Sequence, residues 1–112
     1  MKIFPKQQTS ERTNGFASIT DYTVDDLQIN FVIATISGRY PDKGQVLNTK
    51  CKLLAYVQEG NGKLCVENTE VNLNPGDVVL IDVNEKYHWD GKLKLHISCS
   101  PAWSPEQHEY VI

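Results

Sequence analysis

The sequence lacks most of what would announce a function. Cysteine is scarce, with Cys51, Cys65 and Cys99 as the whole set. An odd number in no CxxC spacing points to free thiols. All three fall in strand-like segments, where a reduced cysteine behaves as a small hydrophobe. No run of Lys or Arg is present and the formal net charge is −3, so the electrostatic footprint of a nucleic-acid or anionic-membrane partner is missing. No apolar stretch approaches the ~20 residues that span a bilayer. The opening MKIFPKQQTSERTNG has no apolar middle of the kind a signal peptide needs, so a cytoplasmic location is expected. Helix-period stripes are nearly absent as well.

What is there describes an all-β chain. Hydrophobic residues make up 40% of the 112, enough for one domain to bury a core without disulfide or metal staples. Strands are expected at Leu27 to Gly38, Thr49 to Gln58, Lys63 to Val66, Thr69 to Leu73, Val78 to Val83, Tyr87 to Asp90 and Lys92 to Cys99. Between them PDKG, EGNG, EN, NPGD, NEK and DG supply residues that tolerate turn dihedrals. Such short links imply antiparallel neighbours. Near the tail, Ser104, Pro105 and Gln107 match an N-cap, a first-turn proline and a reciprocal capping partner, which predicts a helical turn or two. Residues 1–15 read as a polar N-terminal arm, either loose or pairing only in a dimer, and residues 16–112 as a single β domain. That many antiparallel strands must close or stack, and periodicity alone leaves a jelly-roll barrel and a sandwich both open.

The segment YVQEGNGKLCVENTEVNLNPGDVVLIDVNEKYHW resembles the core of a cupin, in which a strand ends in a glycine turn and a short hairpin leads to PGD, an apolar strand and a second turn. The resemblance implies an antiparallel jelly-roll β-barrel that commonly pairs as a homodimer. It also implies where a metal would be held, by two His and a Glu before the first glycine turn and one His after the second. Counted back from Gly60, those positions fall on Leu47, Thr49 and Leu53, or on Val46 and Asn48 with the longer spacing. Counted forward from Gly76, the last falls on Tyr87. None carries a His or a carboxylate, so no metal and no cofactor is expected.

Strand period then decides which side chains face the cavity. Thr49, Cys51, Leu53, Ala55 and Val57 share one face, and Tyr87 and Trp89 share another inward face. A one-residue slip reverses a strand's faces, so His88 points outward unless a bulge turns it in, in which case it becomes a candidate acid–base group or metal ligand. A bulged-in His88 with Cys51 and Cys99 would make a soft metal site. The ligand-binding candidates are accordingly Thr49, Cys51, Leu53, Tyr87 and Trp89, apolar walls with a few polar tips that suit a sugar or another small organic ligand. Plain core packing is the competing reading of Tyr87 and Trp89. His96 alternates onto a solvated face, and His108 is expected to be exposed. The leading expectation is a small-molecule-binding barrel. The alternatives are a metal-free sugar isomerase or epimerase using a His and Tyr acid–base pair, and a purely structural dimeric barrel in which Leu54, Tyr56 and the Phe31 to Ile36 strand form the interface.

Overall fold

Alternation of apolar and polar side chains carries the long central strand Tyr87–Ser100. It buries Tyr87, Trp89, Leu93, Leu95, Ile97 and Cys99 on one face and turns His88, Lys94, His96 and Ser98 to the other. In the computed structural model, which describes all 112 residues, this is β8 of nine strands. The others are β1 (Ser10–Asn14), β2 (Ala17–Tyr22), β3 (Asn30–Tyr40), β4 (Gln45–Asn48), β5 (Lys52–Val66), β6 (Thr69–Leu73), β7 (Val78–Ile81) and β9 (His108–Val111).

Every pairing is antiparallel. β8 lies between two long partners, β3 from Asn30↔Cys99 to Tyr40↔Trp89 and β5 from Lys52↔Ser100 to Val66↔Tyr87. β2 and then β1 extend the β3 side, while β7 and β6 pair with successive stretches of β5. β4 and β9 pair with each other and join β8 at Val46↔Tyr87. The curled sheet forms a jelly-roll barrel around a core that includes Val46, Cys51, Val57, Leu64, Ile81 and Leu95, all at most 2% exposed. Each of the larger aliphatic side chains there contributes roughly 1.5–3 kcal/mol by leaving water.

Two expected turns are strand interiors instead. EGNG at 59–62 does not end a strand, because β5 runs through it with a bulge between Val57 and Glu59. DG at 90–91 likewise lies inside β8. The reason is close approach: Gly38, Gly91 and Gly62 stand opposite one another on three neighbouring strands, and a Cβ on Gly91 would come within 2.6 Å of the Gly62 Cα. Glycine there lets the strands bend across one another, which a side chain would prevent.

Three further departures position the site. Residues 10–14 of the N-terminal arm form β1 and pair within the chain, with β2. The strand expected from Thr49 starts at Lys52, since Thr49 and Lys50 form a bend that resets the alternation and buries both Asn48 and Cys51. The tail makes its short helical turn at Pro105–Gln107 and then adds β9. Gln107 is buried and bonds the Cys51 N–H, the Ala102 carbonyl and the Ser104 hydroxyl, so it ties the tail to the barrel rather than capping a helix.

Candidate functional site

Between the β1–β2 hairpin and the tail lies a pocket with walls of Ala17, Ile19, Val32, Leu53, Ile97 and Cys99. Its polar groups are Asn14, Asn30, Tyr40, Trp103, His108 and Arg12. The cavity measures about 90 Å³, below the ~300–1,000 Å³ of sites for drug-sized ligands, so it suits a single small ring. Arg12 and Asn14 are exposed and mark the mouth.

The polar end is organised by Asn48, buried on β4 and placed opposite His108 by the β4–β9 register. Its Oδ1 accepts from the Trp103 indole N–H at 3.1 Å, and its Nδ2 donates to the Tyr87 hydroxyl at 3.2 Å. An indole nitrogen can only donate, which fixes the amide orientation. The His108 Nδ1 lies 2.8 Å from the same Oδ1 and so must carry the ring proton. That leaves Nε2 as a free lone pair, facing the Tyr40 hydroxyl at 2.8 Å. Tyr40 donates to it, and its oxygen accepts from Asn14 and Tyr110, each at 3.3 Å.

The surroundings hold both groups in their neutral forms. Burial, followed by the nearby Arg12 charge, pushes His108 down to about 4. Burial, followed by the Tyr110 hydrogen bond, raises Tyr40 well above the usual phenol range. At neutral pH the result is an unprotonated imidazole nitrogen accepting from a phenol that keeps its proton, a base and an acid in contact.

The sequence-derived candidates divide. Leu53 is in the pocket wall and Cys51 lies buried behind it, near Cys99. The hydrogen-bonded Cys51 thiol, together with burial, raises Cys99, so that wall residue stays a thiol. Thr49 sits on the bend with its N–H bonded to the Gln107 carbonyl. Tyr87 and Trp89 are core, 3% and 2% exposed, packed edge to face at 6.2 Å and outside the pocket lining. His88 lies on the opposite face of β8 beside Cys65, with no bulge there to turn it inward. Its Nδ1 is buried without a partner, and burial, then Arg39, lowers its pKa.

His108 was expected to be exposed; β9 pairing carries it into the pocket instead. The HxY alternation of His108 and Tyr110 was the available signal. Of the two ligand spacings, the longer matches the buried positions, Val46 and Asn48. The donors in the pocket do not fit a transition metal: one imidazole, a neutral thiol and amides, with no carboxylate. No group of three His, Cys, Asp or Glu side chains is close enough to hold an ion.

No protein-family model and no curated protein matches the chain. Solved structures do. Pac13 from Streptomyces, described as a nucleoside dehydratase, superposes with a TM-score of 0.90 at 15% identity, over 99% of this chain and 91% of that one. An RmlC-like cupin from Shewanella frigidimarina gives 0.71 at 19% identity over 86% of each. The fold is a cupin barrel. Ectoine synthase from P. lautus aligns with it too, with a TM-score of 0.78 at 13% identity over 100% of this chain and 91% of that one. Pac13 has been seen with uridine bound in variants that replace a Tyr by Phe or a His by Gln. The positions that the resemblance assigns to metal ligands hold Leu47, Thr49, Leu53 and Tyr87, or Val46 and Asn48 in the longer spacing, and none of these is a His or a carboxylate.

Proposed function

We propose that the pocket is a metal-free acid–base active site for a small polar ring compound of the nucleoside or sugar type, with His108 as base and Tyr40 as acid. The observation that carries this reading is the 2.8 Å contact between the unprotonated His108 Nε2 and the Tyr40 hydroxyl in an apolar pocket. Substrate entering the pocket displaces the Tyr40 hydroxyl from Nε2, and a C–H proton next to the substrate carbonyl then passes to that nitrogen. The imidazolium formed is steadied by its Nδ1–H bond to Asn48. Tyr40, released from Nε2, gives its proton to a departing hydroxyl, and water leaves. The imidazolium then returns its proton to the tyrosinate and the pair is restored. Uridine in Pac13 supports the ligand class, since the folds coincide over nearly the whole chain.

The test is a panel in which nucleosides are titrated for binding, while aldo- and keto-sugars, which carry a C–H next to a carbonyl, are incubated with the protein in D2O and followed by NMR for C–H exchange and water loss. Turnover that falls about 10²- to 10⁴-fold in both His108→Gln and Tyr40→Phe is the expected result. Binding without exchange would return the pocket to a binding module. Neither binding nor exchange across the panel would sink the reading.

The chain also works, in this reading, as a homodimer in the cytoplasm. The free thiols of Cys51, Cys65 and Cys99 suit a reducing compartment, and no helix is long and apolar enough to cross a membrane. The outer sheet face supplies the apolar surface for pairing.

A further inference from the structure

We propose that Arg12 makes this pocket selective for ligands that carry a carboxylate or phosphate beside the ring, an inference that rests on reading the pocket as a site for a small ring substrate. Arg12 is the only charged residue of the lining, and no Asp or Glu faces the cavity. Its guanidinium is held over Trp103, 4.9 Å from the ring centroid. Its one acidic neighbour, Asp21, is 3.9 Å away, a long contact between half-exposed side chains. Such a pair contributes little and leaves guanidinium donors free.

The placement decides what kind of group those donors would meet. Tyr40 and His108 form the inner polar end, whereas Arg12 stands at the mouth on the strand that also presents Asn14. A cavity of one-ring size sends the ligand's substituents toward that mouth, where a planar fork of donors matches the two oxygens of a carboxylate or phosphate. The same anion would offset the Arg12 field, which after burial is the second influence that lowers His108, and so make the neutral imidazole a stronger base.

Calorimetric titration with uridine, its 5′-carboxylic acid and its 5′-phosphate, which share a base and a ribose ring and differ only at the 5′ substituent, separates the outcomes. At low salt the wild-type protein is expected to bind at least one of the two anions about tenfold or more tightly than uridine. Arg12→Gln should bring that ratio to within about twofold, and Arg12→Lys should keep part of it. Adding salt should shrink the preference. A gain for both anions assigns the carboxylate–phosphate chemistry they share, and a gain for one alone names the group. Uridine bound with a ratio near one, or a ratio that survives Arg12→Gln in a folded variant, overturns the anion selectivity and leaves the acid–base reading standing. Failure of all three ligands to bind overturns the anion selectivity and nucleosides as the ligand class, while the acid–base reading is decided separately by the sugars of the panel.

Discussion

At the scale of the residue, His108 is defined by what Asn48 offers it. An amide pinned by an indole N–H accepts the Nδ1 proton and leaves Nε2 bare. The consequence reaches stability. His108 sits at about 4 in the folded protein and near its ordinary value of about 6.5 in the unfolded chain. Between those values the unfolded chain binds a proton that the folded chain refuses. Its contribution is therefore complete above about pH 6.5 and drains away as the pH falls toward 4, by about 1–2 kcal/mol once solvent access to the pocket is discounted. Urea unfolding at pH 7 and pH 4.5 should show the wild-type protein losing more stability than His108→Gln over that interval. Parallel losses would contradict it. None of these partners was legible locally. Asn48 and His108 are 60 positions apart and meet only through the β4–β9 pairing, and Trp103 belongs to no strand at all.

At the scale of the element, the sequence was readable wherever alternation was long. Cys51, Leu53, Ala55 and Val57 are buried as the period required, and Tyr87 and Trp89 face inward with His88 between them on the other side. Whether that inward face met a cavity or the core lay beyond periodicity, because both present the same pattern. Glycine misled for a similar reason. Gly60, Gly62 and Gly91 read as turns, yet they serve close strand approach, and a residue without a side chain looks the same in either role. The short strands β1 and β9, with exposed or half-buried residues throughout, carry no hydrophobic rhythm. Their existence depends on partners supplied by the rest of the sheet, and they bring Arg12, Asn14, His108 and Tyr110 to the site.

At the scale of the molecule, the barrel is what joins these distant pieces, and its outside carries an exposed apolar band. Registered across five strands, Tyr22, Phe31, Ser98, Leu54 and Leu80 form one outward row, and Thr20, Ile33, His96, Tyr56 and Val78 the next. Leu54, Tyr56, Val78 and Leu80 are 43–59% exposed, an apolar band that a second copy would cover. Light scattering at micromolar concentration is expected to give the dimer mass, and Leu80→Asp with Tyr56→Asp the monomer mass; a wild-type monomer would refute pairing. The central claim is that the folded barrel creates a neutral, Nδ1-protonated imidazole facing Tyr40. Nitrogen-15 NMR of the histidine rings across a pH titration tests it most directly. His108 is expected to keep its proton on Nδ1 and to remain neutral down to about pH 5, titrating near 4. A His108 ring protonated on Nε2, or one that titrates at its ordinary value near 6.5, would contradict it.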